Sequence, residues 1–205
     1  MAGDRIAGES TPEYAWLNME EIGHIHRLMP NVKIIYLLRN PIDRAWSAAM
    51  MMFALRKKSV SSLSREDFIS FFCSREQLGH GAYLKNLKRW ENVFDSSHIF
   101  IGFLEEIRDA PEAFFRRVLH FLGVDDRIEL DHALLSKRVF PGPGTALPRE
   151  LKTFLSGMYE QQLCALHERF GGYANAWYQE ARRELEGLHQ STNTLIPSCV
   201  LNDTN

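Results

Sequence analysis

At 205 residues, 45% of them hydrophobic, the chain is long enough to fold as one globular domain with its own apolar core. Its 24 basic and 26 acidic residues give a formal net charge of −2, which argues against a nucleic-acid-binding or anionic-membrane-binding protein. No apolar run approaches the roughly 20 residues that span a bilayer, and the N-terminus lacks the apolar segment of a signal peptide.

The first predicted element is a helix from about Pro12 to Met29. Ser10 or Thr11 can cap its N-terminus with a side-chain oxygen, and proline suits the first helical turn. Glu13 adds a negative charge where the helix dipole favours one.

A strand, a tight turn and a helix follow. Residues 34–38 are apolar throughout, which predicts a strand buried on both faces, as in parallel sheets. Asn40 can cap the next helix, and Pro41 is suited to its first position. Helical spacing gives that helix an apolar face made of Ile42, Trp46, Ala49, Met50 and Phe53.

Arg39 stands at the carboxyl end of this predicted strand. Ligands of open α/β sheets bind beyond that end, so Arg39 is a candidate to bind a phosphate or a sulfate. Ser47 follows eight residues later, about two helical turns on, and can present its hydroxyl on the same side. The alternative is that Arg39 forms an ion pair and Ser47 is a small residue in a helix contact.

The second half of the chain alternates further helices with one more strand. Leu84, Leu87, Trp90 and Phe94 predict an amphipathic helix within residues 79–95, and residues 98–103 predict a second buried strand. Helices are also predicted from Asp109 to Gly123 and from about Pro148 to Phe170. Residues 189–205 are rich in Ser, Thr and Asn and are predicted to form a disordered tail.

The string from Arg39 to Ser47, RNPIDRAWS, resembles the motif with which sulfotransferases hold the 3′-phosphate of 3′-phosphoadenosine 5′-phosphosulfate (PAPS). The resemblance implies that Arg39 and Ser47 both bind this phosphate. A guanidinium makes forked, charge-assisted hydrogen bonds to phosphate, and a serine hydroxyl adds a neutral donor.

Other stretches are similar to the same family. The matching positions are Gly8 to Tyr14, Gly81, Tyr83, Leu87, Trp90 and Glu105. Lys137 and Arg138 match a loop that closes over the nucleotide in sulfotransferases, although the glycine of that loop is missing here. The resemblance therefore implies Lys137 and Arg138 as further cofactor-binding residues, with a solvated loop as the alternative.

The fold implied by the resemblance is a helix-rich α/β, three-layer sandwich with a short parallel sheet. It is the P-loop NTPase-like sulfotransferase fold without its first strand, formed by residues 1–188 as a single, N-terminally incomplete domain. The implied reaction is transfer of a sulfuryl group from PAPS, as co-substrate and with no metal, to a hydroxyl or amine of a glycan or small molecule. Positioning and charge stabilisation would supply most of the catalysis.

Only Met1 to Ala7 precede Gly8, whereas the family has a strand, a phosphosulfate-binding loop and commonly a general base before that point. The catalytic base is therefore expected upstream of Met1 and is assigned to no residue of this chain. Two other hypotheses stay open: a non-catalytic, nucleotide-binding or partner-binding remnant of a sulfotransferase, and a fragment of a longer gene product. A missing first strand would also expose a sheet edge and favour a homodimer.

Three cysteines, Cys73, Cys164 and Cys199, are far apart and lack the spacing of metal ligands. They predict reduced thiols and, with them, a cytoplasmic location, although an absent N-terminal segment could carry a membrane anchor.

Overall fold

The computed structural model describes residues 6–57, 59, 62–131, 133, 135 and 144–189. A 3₁₀ turn, Pro12–Trp16, precedes the first α-helix. The strands are β1 Ile34–Leu38 and β2 Ile99–Phe103. The helices within these ranges are α1 Met19–Leu28, α2 Pro41–Leu55, α3 Arg65–Phe72, α4 Arg75–Gly81, α5 Tyr83–Glu91, α6 Leu104–Asp109, α7 Pro111–Leu122, α8 Arg149–Phe170 and α9 Gly172–His189.

Strands β1 and β2 pair in parallel, with Ile34 opposite Ile99 and Leu38 opposite Phe103. One face of β2 packs against the main helical core. On its other face α7 packs so closely that a Cβ at Gly102 would lie 2.6 Å from the Phe114 ring. The predicted helix-rich α/β fold with a short parallel sheet is therefore confirmed.

Burial of β1 differs from the prediction. Tyr36 and Leu38 are buried in the core, whereas Ile35 and Leu37 are 41% and 47% exposed. The expectation of burial on both faces is wrong. Within the described residues, helices cover only the face of β1 that carries Tyr36 and Leu38. The apolar run predicted the strand correctly but could not show which neighbours cover it.

The N-terminal helix begins later than predicted. Asn18 accepts a hydrogen bond from the backbone N–H of Glu21 at 2.9 Å, and the Glu21 carboxylate accepts one from the backbone N–H of Asn18 at 2.8 Å. This reciprocal capping box starts α1 at Met19. Thr11 does not cap a helix, because its hydroxyl donates to Glu9 instead, at 2.9 Å.

Helix α2 agrees with its prediction. The Asn40 side chain accepts a hydrogen bond from the backbone N–H of Ile42 at 2.9 Å, and Pro41 occupies the first turn. The predicted apolar residues of its face are all buried. The helix predicted within residues 79–95, by contrast, begins at Tyr83, after Ala82 separates it from α4.

Helices α8 and α9 form a hairpin against the core. Leu151, Phe154 and Leu163 of α8 are buried, as are Ala174 and Trp177 of α9. The chain turns between them at a glycine pair with positive φ angles of 59° and 44°, a conformation that other residues rarely adopt. The predicted tail lies outside the described residues, except for its first residue, which ends α9.

Among the cysteines, Cys164 is a free thiol, in agreement with the prediction for that residue. The cytoplasmic location stays a prediction. Among the described helices, none combines the length and the apolar character that a bilayer-spanning segment needs.

Candidate functional site

The site is organised around Arg39, the residue that follows β1. Its side chain is half-buried, and it makes no hydrogen bond or ion pair with any other residue in the described ranges. A guanidinium at the carboxyl end of a core strand normally has an anionic partner, because removing its charge from water is costly. With respect to the described residues, Arg39 therefore has its full donor capacity available for a ligand.

The first turn of α2 lies within electrostatic reach of this guanidinium. Asp43 and Ser47 are four residues apart, so they share one face of the helix, and both are exposed. Loss of hydration raises the pKa of Asp43, and the positive charge of Arg39 opposes that rise. Asp43 is thus close enough to Arg39 to sense its charge, and Ser47 extends the same exposed stripe by one turn.

A second cation, Lys152 of α8, approaches the same stripe. Its charge also lowers the pKa of Asp43, and its ammonium group forms an ion pair with Glu180 at 2.6 Å. Sequence reasoning missed Lys152, because α8 is remote in sequence and its polar face carries no recognisable spacing. Only the packing of α8 beside α2 brings the two together.

Arg44, within the same motif, has a structural role. Its guanidinium donates to the Gln77 side-chain oxygen at 3.0 Å, to the Gln77 carbonyl at 3.1 Å and to the Tyr159 hydroxyl at 3.1 Å. These bonds connect α2 to α4 and α8. Two more buried tyrosines lie near this charge: burial raises the pKa of Tyr36 to about 12 and also raises the pKa of Tyr83. Tyr83, a position that matches the family, therefore packs in the core.

Trp46 connects α2 to the segment that leads into α8. Its indole N–H donates to the backbone carbonyl of Thr145 at 2.9 Å. Lys137 and Arg138 precede Thr145 in the chain but lie outside the described residues, so their assignment stays a prediction.

Glu105, at the start of α6, lies just beyond the carboxyl end of β2. One of its carboxylate oxygens accepts a hydrogen bond from the Trp177 indole at 2.7 Å, while the other is buried without a hydrogen-bond partner. The carboxylate therefore holds α9 against the edge of the sheet where Arg39 lies. Among the described residues no group of three or more His, Cys, Asp or Glu side chains is arranged to hold a metal ion.

Comparison with known proteins identifies related sulfotransferases. Two curated relatives, heparan sulfate glucosamine 3-O-sulfotransferase 6 from Mus musculus and from Homo sapiens, are each 28% identical to the chain over 130 residues. The alignment covers 58% of this chain but 36% of each relative, so the chain spans about a third of the length of the curated relatives it matches.

A crystal structure of a sulfotransferase from Alicyclobacillus acidocaldarius shares the fold. It superimposes with a TM-score of 0.58 at 22% identity, over 80% of this chain and 64% of that chain. A model of the sulfotransferase family matches residues 8–127, which is more than half of the chain and includes β1, α2 and β2. The chain therefore belongs to the sulfotransferase family, a family of enzymes.

Proposed function

We propose that this chain binds the 3′-phosphate of PAPS through Arg39 and Ser47 and serves sulfuryl transfer to a hydroxyl or an amine. The observation that carries the proposal is the half-buried Arg39 guanidinium, which has no partner within the described residues and adjoins the N-terminus of α2. In a member of the sulfotransferase family, a nucleotide phosphate is the anion that this arrangement suits best.

The physical chemistry of these residues favours a phosphate over a single negative charge. A planar guanidinium donates two parallel hydrogen bonds to a phosphate, and the serine hydroxyl donates a third without adding charge. The dipole of α2 contributes further positive potential at its first turn. Asp43 opposes an anion, but Arg39 and Lys152 both face it and reduce its repulsion.

Lys137 and Arg138 complete the proposal as cations that approach the nucleotide from the segment before α8. The hydrogen bond from Trp46 to Thr145 supports this assignment, because it holds the end of that segment beside α2. Two cations near the phosphates would add charge-assisted hydrogen bonds to those of Arg39.

PAPS supplies the sulfuryl group when it is bound. In the transfer, the acceptor oxygen or nitrogen forms a bond to sulfur, the bond from sulfur to the 5′-phosphate oxygen breaks, and the acceptor loses a proton. Adenosine 3′,5′-bisphosphate is the leaving group. The part assigned to this chain is to bind and orient the nucleotide, which converts a bimolecular encounter into a positioned reaction.

The acceptor is proposed to be a glycan. The curated relatives act on heparan sulfate glucosamine by name, and we extend only the sugar chemistry to this chain. The alternative, a non-catalytic module that holds adenosine 3′,5′-bisphosphate, shares the same nucleotide site. This alternative predicts that no sulfuryl group is transferred from labelled PAPS to any acceptor.

The expected homodimer also stays a prediction, and sedimentation of the purified chain would measure it directly.

Calorimetric titration with adenosine 3′,5′-bisphosphate tests the nucleotide site. Arg39→Ala should weaken binding by about 1.5 to 3 kcal/mol, the scale of hydrogen bonds to a charged group. Ser47→Ala should cost less, because it removes a neutral donor. Arg27→Ala, which deletes the same charged side chain from α1, is the matched control and should leave binding unchanged. Equal affinities of Arg39→Ala and the parent chain would refute the proposal.

A further inference from the structure

A second concave site lies on the N-terminal side of α4, apart from the residues assigned to the nucleotide. It is an open pocket of about 530 Å³ lined by Glu13, Trp16, Arg75, Glu76 and His80. One aromatic platform and several polar groups are the composition expected of a small-ligand site.

The platform of this pocket is rigidly held. Trp16 packs so tightly against α4 that a Cβ added to Gly79 would lie 2.3 Å from the indole ring. The ring of His80 stands 5.4 Å from it, between centroids. Arg89 donates to the backbone carbonyl of Trp16 at 3.4 Å, and the Trp90 indole donates to that of Tyr14 at 3.3 Å. The aromatic face is therefore positioned before any ligand arrives.

The charged side chains at the rim of the pocket have no partners among the described residues. Glu13, Arg75 and Glu76 are exposed, and none of them makes a hydrogen bond or ion pair to another residue of the described ranges. Burial lowers the pKa of His80, and the charge of Arg44 lowers it further. At neutral pH the pocket thus holds two carboxylates, one guanidinium and a neutral imidazole, with a net negative charge.

We propose that this pocket binds an amino-sugar residue with an unsubstituted amine. The face of a pyranose ring presents C–H groups that pack on an indole, and an ammonium group is attracted both by the indole and by carboxylates. Arg75 and His80 can hydrogen-bond the sugar hydroxyls. The excess of carboxylates disfavours a sulfated or uronate-rich chain at this position, because like charges repel each other.

The pocket is connected to the nucleotide site through α4. Gln77, next to Glu76, accepts two hydrogen bonds from Arg44, which lies between Arg39 and Ser47 in the sequence of α2 and its cap. We therefore assign the amino sugar to the acceptor glycan, and this role, unlike the binding itself, rests on the proposed function.

The probe is the trimer of β-1,4-linked glucosamine, titrated by calorimetry into the full chain. Glu76→Gln should weaken its binding about tenfold, which corresponds to ~1.4 kcal/mol, and the double variant Glu13→Gln/Glu76→Gln should weaken it further. Trp16→Phe should reduce affinity less than Trp16→Ala. Glu20→Gln, an exposed charge change on α1, is the matched control and should have no effect.

Three results would overturn the assignment: no binding of the trimer at millimolar concentration, equal binding by the double variant, or equal binding of the fully N-acetylated trimer. Tighter binding of a heparan sulfate oligosaccharide, abolished by Trp16→Phe, would also overturn it. Because Trp16→Ala could unfold the chain, the isosteric glutamine variants decide the outcome. Arg39→Ala should leave trimer binding intact, so a failure here is distinguishable from a failure of the nucleotide site.

Discussion

Replacement of Arg44 by methionine should destabilise the fold without removing a ligand contact. The change keeps the aliphatic stem of the side chain and removes the guanidinium. Three hydrogen bonds are lost, at 3.0, 3.1 and 3.1 Å, and with them the connections from α2 to α4 and α8. The acceptors left behind belong to Gln77 and Tyr159, each of which is 4% exposed.

The magnitude follows from two opposing contributions. A buried acceptor left without a donor costs about 1 to 3 kcal/mol, and here two residues lose their donor. Removing a partly buried charge offsets part of this cost. The offset is larger because the Arg44 Nε is buried and already lacks a hydrogen-bond partner. We expect a net loss of about 3 kcal/mol in the free energy of unfolding. For a chain of this length that loss lowers the Tm by roughly 6 to 12 °C.

Urea denaturation followed by circular dichroism measures the loss. The matched control is Arg65→Met, since Arg65 forms an exposed ion pair with Glu150 at 3.8 Å and should contribute less than about 0.5 kcal/mol. Tyr159→Phe closes a double-mutant cycle, and its coupling to Arg44 should be about 1 kcal/mol. The structural role assigned to Arg44 is wrong if the free energies of unfolding of Arg44→Met and the parent chain differ by less than about 0.5 kcal/mol, which is roughly the effect expected of the control.

Two further predictions concern helix ends and pH. Asn18→Ala should lower the free energy of unfolding by about 1 kcal/mol because it removes the capping box of α1, and an unchanged urea midpoint would contradict this. Burial alone would raise the pKa of Glu184, but hydrogen bonds from Thr153 and Arg149 outweigh it and hold the pKa below 4.5. Glu184 therefore stabilises the fold above that pH and loses its contribution as the pH falls through its lowered pKa. Glu184→Gln should cost about 1 kcal/mol at pH 7 and progressively less in acid, and a pH-independent cost would contradict the assignment.

The local structure around Arg39 could be predicted from sequence because its signals are local. An apolar run, a capping asparagine and a proline at the first helical position specify β1, the turn and α2 without reference to the rest of the chain. Asn18 was missed as a cap for a related reason. Two alternative caps, Ser10 and Thr11, stand before a proline and give an equally good local signal.

Features that depend on tertiary packing could not be predicted in this way. The exposure of Ile35 and Leu37 depends on which elements cover the sheet, and the approach of Lys152 to Asp43 depends on how α8 packs. The pocket around Trp16 combines residues of the N-terminal turn and α4, which are remote in sequence. No periodicity within either segment indicates that they meet.

The central claim is that Arg39 recognises the 3′-phosphate of the nucleotide. The most direct test measures the affinities of the parent chain and of Arg39→Ala for adenosine 3′,5′-bisphosphate and for adenosine 5′-monophosphate, which lacks that phosphate. The account predicts that the parent chain prefers the bisphosphate by about tenfold or more and that Arg39→Ala loses most of this preference. A preference of the same size in both proteins would show that the 3′-phosphate is bound elsewhere and would contradict the account.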